Sequence, residues 1–214
     1  MRSAKKIVVV AGNIGAGKTA LTERLGERMK WDTGFESVSD NPYLPDFYAD
    51  MKSWAFHLQM YFLGHRAEQY KKLASTPTTV ILDRSIYEDA HIFVRALHHL
   101  GNLSERDYGA YKRLYEVVLS GLATPNLLIY LKAPVPTLME RIKERARGME
   151  TGITEDYLNL LDKFYDDWLG TFDFCPVLTI NTQNLDYVNR PEALDLVSNR
   201  IVEKMAGKDV IDLG

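Results

Sequence analysis

The sequence predicts an α/β fold in which a parallel β-sheet lies between two layers of helices. Short apolar segments rich in β-branched residues alternate with long stretches of helical periodicity. This alternation is typical of parallel strands joined by helical crossovers. The first apolar segment leads through a glycine-rich loop into a helix-like stretch, which is the order expected of a βα unit. The five predicted strands cover residues 5–11, 34–38, 78–83, 126–133 and 177–181.

Length and composition limit the possible functions of the chain. Its 214 residues suffice for one domain with a full core, so we expect a single domain over residues 1–214. The net charge of -3 argues against a nucleic acid polymer or an anionic membrane as a partner. A single cysteine, Cys175, is incompatible with a disulfide framework. The short apolar run after the basic N-terminus leads directly into the glycine-rich loop, so we expect a core strand there rather than a signal peptide, and a cytoplasmic protein.

The glycine-rich loop at residues 12–19 has the sequence of a phosphate-binding P-loop. Because glycine lacks a Cβ, the loop can fold tightly and direct backbone N–H groups at one point, where the following helix also presents its N-terminus. Lys18 adds a positive charge for the outer phosphates of a nucleotide, and the Thr19 hydroxyl can bind a bridging Mg2+ ion. The predicted phosphate-binding residues of the loop are Gly12, Asn13, Ile14, Gly15, Ala16, Gly17, Lys18 and Thr19.

Charged residues lie at the ends of the second and third predicted strands, at the edge where parallel sheets bind their ligands. The carboxylate of Glu36 could accept a proton from a hydroxyl group that is being phosphorylated. Asp83 closes the third strand and is suited to hold a hydrated Mg2+ ion. Arg84 comes next, within reach of a transferred phosphoryl group or of Glu36.

The long helix predicted over residues 51–74 carries two polar residues beside its apolar stripe. Gln59 and Arg66 are two turns apart and therefore share a face. The Gln59 amide can both donate and accept hydrogen bonds at a nucleobase edge, and the Arg66 guanidinium can bind a carboxylate or a phosphate. Asp89 lies near the start of another helix, and Phe93 follows one turn later, where its ring could stack on a base.

An arginine cluster follows the fourth strand, in a helix predicted to begin at Pro136. Arg141 and Arg145 are one turn apart, and Arg147 follows at the helix end. Guanidinium groups at the ligand-binding edge suit a lid that closes over phosphates and excludes water, and we place this lid at about residues 141–152. Glu150 in the same segment could reach a sugar hydroxyl.

Amphipathic patterns predict three more helices, at residues 104–122, 153–169 and 192–205. The aromatic residues of the second of these, which include Tyr165, are interpreted as core. The first of them and the helix that contains Trp54 could together form a dimer surface.

The chain resembles the deoxyribonucleoside kinase family, in particular its bacterial deoxyadenosine and deoxyguanosine kinases. Five motifs occur in the order of that family over nearly the whole chain: the P-loop, Phe35-Glu36-Ser37-Val38 with Asp40-Asn41-Pro42, Leu58-Gln59-Met60-Tyr61, Asp83-Arg84-Ser85, and residues 141–150. The resemblance implies a three-layer α/β/α P-loop kinase fold with a five-stranded parallel sheet, an arginine-rich lid, and a homodimer. It also implies ATP with Mg2+ as the phosphoryl donor and a deoxyribonucleoside as the acceptor.

The resemblance also implies a role for each matching residue. Glu36 would be the general base on the 5'-hydroxyl, and Lys18 and Arg84 would be the other catalytic residues. Tyr48 and Glu150 would hold the 3'-hydroxyl of the sugar. The full set that would bind the nucleoside is Glu36, Tyr48, Gln59, Arg66, Arg84, Asp89, Phe93 and Glu150. The metal would lie at Thr19 and Asp83, while Arg141, Arg145 and Arg147 would join the P-loop in binding the ATP phosphates. The family usually has Glu-Pro-Val around the base, and Ser37 replaces that proline here.

Other functions remain open on sequence grounds. The Gln59 amide can turn to suit a purine or a pyrimidine, so a deoxycytidine-preferring or broad-specificity kinase is an alternative. However, the Asp40-Asn41-Pro42 link resembles the purine-preferring bacterial members. A nucleoside monophosphate kinase would need extra cations for its acceptor and no strong carboxylate base. An NTP-binding switch that signals to a partner protein would need no acceptor pocket.

Overall fold

The computed structural model describes residues 5–35, 41–145, 152–187 and 190–206. Within these ranges the chain forms a five-stranded sheet of order β2-β3-β1-β4-β5 in which every pairing is parallel. The strands are β1 (Ile7–Gly12), β2 (Asp32–Gly34), β3 (Val80–Asp83), β4 (Leu127–Lys132) and β5 (Val177–Asn181). The prediction of a five-stranded parallel sheet in an α/β fold is confirmed.

Helices cover both faces of this sheet. They are α1 (Lys18–Met29), α2 (Leu44–Ala49), α3 (Met51–Ala74), α4 (Ile86–Glu88), α5 (Arg95–His99), α6 (Glu105–Ser120), α7 (Val135–Arg145), α8 (Glu155–Leu169) and α9 (Pro191–Met205), with a π-helix at Asp89–Val94 between α4 and α5. In the described part of the chain, none of these helices is both long enough and apolar enough to cross a membrane.

The central strand β1 explains why its sequence is a continuous apolar run. Val8 and Val10 point into the core on one side of the sheet, whereas Val9 and Ala11 point into the core on the other side. Both faces are covered by helices, so successive side chains are buried regardless of the side to which they point. Because β1 pairs with β3 on one edge and β4 on the other, the loop that follows it emerges in the middle of the sheet.

The second strand is the one that the sequence analysis placed incorrectly. It begins at Asp32, before the predicted start at Gly34, and Phe35 has already left it. The remainder of the predicted strand, residues 36–38, lies outside the described residues. β2 is at the edge of the sheet and, among the described strands, pairs only with β3. Because an edge strand need not be fully buried, the partly buried Asp32 and Thr33 can form it, and the sequence has no apolar run there.

The other predicted elements are close to the observed ones. β5 and α3 have the predicted bounds, and the remaining strands and long helices differ from the prediction by one or two residues at their ends. For example, the helix expected to start at Pro136 begins at Val135, and the one expected at Ile153 begins at Glu155 because the Thr154 side chain accepts a hydrogen bond from the Tyr157 N–H. The π-helix had no counterpart in the sequence prediction.

Candidate active site

Two glycines give the P-loop its shape. Gly12 has φ 151 at the end of β1, and a Cβ there would lie 2.6 Å from the carbonyl oxygen of Leu131 on β4. Gly17 precedes α1 with φ 96, a left-handed conformation that side-chain-bearing residues rarely adopt. Residues 12–17 therefore fold back over the N-terminus of α1, the arrangement that directs backbone N–H groups at an anion.

Lys18 lies inside this loop. It is only 7% exposed, and its Nζ donates to the carbonyl oxygens of Gly12 at 2.7 Å and Asn13 at 2.8 Å. The ammonium group is thus held at the mouth of the loop, as expected of a residue that binds the outer phosphates.

Thr19 in the first turn of α1 contacts Asp83 at the end of β3. The Thr19 hydroxyl donates to Asp83 Oδ2 at 2.5 Å, whereas the buried Asp83 Oδ1 has no hydrogen-bond partner among the described residues. No cluster of three or more His, Cys, Asp or Glu side chains that could hold a metal occurs in the described ranges. A hydroxyl group beside one carboxylate with an unpaired oxygen fits Mg2+, which uses few protein ligands and takes the rest from water and phosphate.

Arg84 follows Asp83 directly and has an unusual backbone conformation. Its φ of 70 lies in the left-handed region, which costs energy in a residue other than glycine and is often retained at functional sites. The guanidinium carbon lies 4.4 Å from the ring centroid of Phe93, and Nη1 lies 3.7 Å from Glu88 Oε1. The left-handed turn at the end of β3 therefore directs the side chain toward Phe93 on the π-helix.

Arg66 on α3 forms an ion pair with Asp89 on the π-helix, and both side chains are only 5% exposed. Gln59, also 5% exposed, lies on the same helix, and its Oε1 has no hydrogen-bond partner among the described residues. A small cavity, partly open to solvent, lies beside this ion pair, between α3 and the end of β3. Its lining residues are Arg66, Gln69, Tyr70, Leu82, Arg84, Ser85 and Ile86. The structure therefore brings together three of the predicted nucleoside-binding residues, Arg66, Arg84 and Asp89, and adds Phe93 through its contact with Arg84.

Of the arginines predicted to form a lid, Arg141 and Arg145 are described and lie on α7. Arg141 donates from Nη1 to Thr182 Oγ1 at 3.1 Å and from Nη2 to the Thr182 carbonyl oxygen at 2.5 Å. Thr182 is fully buried, and its hydroxyl also lies 3.4 Å from the carbonyl oxygen of Ala16 in the P-loop. The Arg141 guanidinium is thus held between the end of β5 and the P-loop. Arg145 is exposed at the last turn of α7.

The model of the deoxynucleoside kinase family matches residues 8–206. The chain belongs to the deoxynucleoside kinase family. It is 36% identical over 197 residues to a deoxyadenosine/deoxycytidine kinase of Bacillus subtilis, with 91% of each chain covered. It is 35% identical over 208 residues to a deoxyguanosine kinase of Lactobacillus acidophilus, with 93% of this chain and 90% of the relative covered.

A solved structure of another deoxynucleoside kinase has the same fold. The deoxyadenosine kinase of M. mycoides, with the products dCMP and a flexible dCDP bound, matches with a TM-score of 0.81 at 28% identity. The match covers 92% of this chain and 99% of that chain. The resemblance to the family and the P-loop kinase fold inferred from it are therefore confirmed.

Three predicted site residues of this deoxynucleoside kinase, Glu36, Arg147 and Glu150, lie outside the described residues. Tyr48, the predicted sugar-binding residue, is described and lies on α2, where it is 48% exposed and its ring centroid is 5.5 Å from that of Phe47. Of the predicted metal residues, both Thr19 and Asp83 are described, and they contact each other.

Sequence reasoning gave no role to Glu88, which is completely buried behind the P-loop. Its Oε1 accepts a hydrogen bond from the Gly12 N–H at 3.2 Å and lies 2.6 Å from the Tyr165 hydroxyl. Burial raises the pKa of this carboxyl group, although Arg84 and then Lys18 oppose the shift. The available signal was an acidic residue directly after the apolar pair Ile86-Tyr87, but Asp89 follows it and drew the functional interpretation. The aromatic pattern of α8 indicates only core for Tyr165, because hydrophobic periodicity does not distinguish tyrosine from phenylalanine.

Proposed function

We propose that this protein transfers the γ-phosphoryl group of ATP to the 5'-hydroxyl of a deoxyribonucleoside, with a preference for purine deoxyribonucleosides. The observation that carries the proposal is the junction of Asp83 and Arg84. Asp83 contacts Thr19 of the P-loop, whereas its neighbour Arg84 lines the cavity beside Arg66. This contact supports a donor site for a nucleotide and an acceptor site for a second substrate that would adjoin at consecutive residues.

The donor half combines fixed dipoles with charge. The N–H groups of residues 12–19 and Lys18 would bind the phosphates, and Arg141, Arg145 and Arg147 would close over them. Thr19 and Asp83 would hold Mg2+, which neutralises charge on the phosphates when it is bound. The unpaired Asp83 Oδ1 supports this assignment because a buried carboxylate oxygen without a partner is costly.

The acceptor half needs a base and a means of orienting the nucleoside. Glu36 would take the proton from the 5'-hydroxyl as its oxygen attacks the γ-phosphorus, and ADP would leave. Arg84 would stabilise the charge on the transferred group. Tyr48 and Glu150 would bind the 3'-hydroxyl of the sugar.

Base recognition would depend on the buried polar groups beside the cavity. The unpaired Gln59 Oε1 and the Arg66–Asp89 pair offer both acceptors and donors to a nucleobase edge, and Phe93 offers a stacking surface. A paired Arg66 supplies little net positive charge, which is poor for a monophosphate acceptor, so a nucleoside is the better fit. Most of the similar kinases are named deoxyadenosine kinase or deoxyguanosine kinase. We extend this preference for purine deoxyribonucleosides to this chain.

Deoxycytidine is the second candidate acceptor. The B. subtilis relative is named a deoxyadenosine/deoxycytidine kinase, and dCMP is a product bound in the M. mycoides structure. A steady-state assay of ATP consumption with each of the four deoxyribonucleosides tests both candidates. A purine kinase has its highest kcat/KM with deoxyadenosine or deoxyguanosine, and ATP hydrolysis that does not depend on any nucleoside would indicate an NTP-binding switch instead.

We also propose a homodimer formed through α3 and α6. Leu114 and Val117 lie three residues apart on one face of α6 and are 39% and 68% exposed, and Met51 of α3 is 40% exposed. Val117→Glu would place a charge in that interface, and light scattering after size-exclusion chromatography would then detect monomers. A cytoplasmic location fits the use of ATP as donor.

A further inference from the structure

A buried acidic residue lies between the P-loop and Arg84. Glu88 has no exposed surface, and its Oε1 accepts a hydrogen bond from the backbone N–H of Gly12 at 3.2 Å. The same oxygen lies 2.6 Å from the Tyr165 hydroxyl and 3.7 Å from Arg84 Nη1. One carboxylate oxygen therefore contacts both the first glycine of the P-loop and the arginine at the end of β3.

The peptide groups of Gly12 are fixed on both sides by this arrangement. The Gly12 N–H is bound by Glu88, while the Gly12 carbonyl oxygen accepts from Lys18 Nζ at 2.7 Å and from the Tyr165 hydroxyl at 2.8 Å. Tyr165 has one phenolic proton and two acceptors within reach, Gly12 O and Glu88 Oε1. When Lys18 turns toward bound phosphates, Tyr165 is the donor that still satisfies the buried Gly12 carbonyl.

Arg84 needs such support because its backbone is strained. Its left-handed φ of 70 is held only if neighbouring groups stabilise it. The Phe93 ring covers one side of the guanidinium group, and Glu88 supplies a negative charge close to it from the side of the P-loop. Glu88 is thus placed to fix the position of Arg84 relative to Gly12.

We propose that Glu88, together with Tyr165, is a positioning residue that fixes the P-loop and Arg84 in the relative position that phosphoryl transfer requires. This inference rests on the proposed function, because it assigns Arg84 to the transferred group. Transfer is sensitive to the alignment of its reacting groups, so a small displacement of Arg84 relative to the P-loop would lower kcat. A carboxylate that merely filled the core would instead affect folding stability and leave the kinetics of the folded enzyme unchanged.

Two substitutions of Glu88 separate its contacts. Glu88→Gln keeps an oxygen for the Gly12 N–H but removes the negative charge beside Arg84, whereas Glu88→Ala removes both. At about pH 8, we expect the Gln variant to lose about tenfold in kcat while it binds ATP within about threefold of the wild type. The Ala variant should also bind ATP about tenfold more weakly than the Gln variant, because Gly12 loses its acceptor.

A double-mutant cycle with Arg84→Ala tests whether Glu88 acts through Arg84. If it does, Glu88→Gln should change kcat by no more than about twofold in the Arg84→Ala background, because coupled residues are not additive. The same tenfold loss in both backgrounds would overturn the proposal, as would an unchanged kcat in the single variant. Melting temperatures identify variants that fail to fold.

If the Glu88 variants do not fold, Tyr165→Phe tests the proposal instead, because it leaves the charges of Glu88 and Arg84 in place. We expect this variant to bind ATP about threefold more weakly or worse, and unchanged binding would overturn the role of the pair of Glu88 and Tyr165.

The ATP affinities also distinguish a failure of the Glu88 proposal from a failure of the proposed function. They are measured by titration with a fluorescent ATP analogue and do not depend on any acceptor. If the wild type phosphorylated no nucleoside, the proposed function would fail, but the Gln and Ala variants would still report on the Gly12 contact. Equal ATP affinities of these two variants would overturn that contact, whatever the wild-type activity.

Discussion

Arg66 on α3 and Asp89 on the π-helix form an ion pair from which water is almost excluded, since each side chain is 5% exposed. A buried ion pair is costly to break, because loss of one partner leaves a charge in a poorly solvated site. It is retained here beside Gln59 and the cavity, where its donors and acceptors can recognise a nucleobase. The pair thus joins α3 to the π-helix, and its proposed role in base recognition can be tested separately from this structural contact.

Asp89→Asn should both destabilise the protein and change its selectivity. Arg66 would remain buried without its carboxylate, and we expect a loss of about 3 kcal/mol in the free energy of unfolding, measured by urea denaturation. The ranking of the four deoxyribonucleosides by kcat/KM should change as well. An equal loss with all four would mean that the pair is structural only.

A double variant separates these two effects. Arg66→Met with Asp89→Leu replaces both charges by apolar side chains of similar volume, which is often neutral for stability. We expect most of the free energy of unfolding to return while the altered selectivity persists. Recovery of the wild-type selectivity together with the stability would contradict the assignment of base recognition to the pair.

Thr19→Ala should weaken the use of Mg2+. The Thr19 hydroxyl contacts Asp83 and would be a ligand of the metal, so its loss should raise the Mg2+ concentration for half-maximal activity by about tenfold. Thr19→Ser keeps the hydroxyl and is the matched control, which should remain close to the wild type. A Mg2+ titration that gives one half-saturation value for all three proteins would exclude Thr19 as a metal residue.

Gly12→Ala should abolish tight ATP binding. The added Cβ would lie 2.6 Å from the carbonyl oxygen of Leu131, and the positive φ of Gly12 is unfavourable for alanine, so the turn must move. Gly64→Ala is the control, because Gly64 lies within α3 and a Cβ there meets nothing within 4 Å. Calorimetric titration with ATP should show binding to the control and to the wild type only. Normal affinity in Gly12→Ala would show that the loop is not the phosphate site.

His91 makes the stability of the protein sensitive to acid. Burial lowers its pKa, and Arg95 adds to the effect, so the folded protein favours the neutral imidazole, which packs against Trp168. The folded state then binds fewer protons than the unfolded state below the usual pKa of 6.5, and stability must fall as the pH drops through that value. Urea denaturation of the wild type and His91→Gln between about pH 8 and pH 5 measures the effect. The two curves should diverge below about pH 6.5, and parallel curves would contradict a lowered pKa of His91 in the folded protein.

The parts of the fold and site that could be predicted from sequence are those with a periodic or fixed-spacing signal. The P-loop has fixed spacing, so the tight fold of the loop and the placement of Lys18 beside it follow from the motif. Val80–Asp83 is an apolar strand with a charged end, which led to Asp83 as a residue for the metal that Thr19 would also bind, and the two residues are in contact. Gln59 and Arg66 share a helical face, both are buried, and Arg66 lines the cavity.

The features that could not be predicted depend on tertiary contacts. The π-helix at Asp89–Val94 contains mostly weak helix formers, and no feature of its sequence distinguishes its wider turn from that of an α-helix. The left-handed φ of Arg84 is not expected for arginine and exists because its surroundings stabilise it. Glu88 meets Tyr165 from a position 77 residues away, and one of two adjacent acidic residues at a helix start gives no sign of such a partner.

The central claim is that the γ-phosphoryl group of ATP moves to a 5'-hydroxyl, and radiolabelled ATP tests it most directly. The purified protein is incubated with γ-labelled ATP and either deoxyadenosine or 2',5'-dideoxyadenosine, which lacks the 5'-hydroxyl, and the products are separated by chromatography. Glu36→Gln serves as a third arm and should lower transfer by about 10²–10⁴-fold, with ATP binding nearly intact. We expect labelled deoxyadenosine monophosphate from deoxyadenosine and no labelled nucleotide product from the analogue. Label found only in inorganic phosphate, equally with both compounds, would contradict the claim.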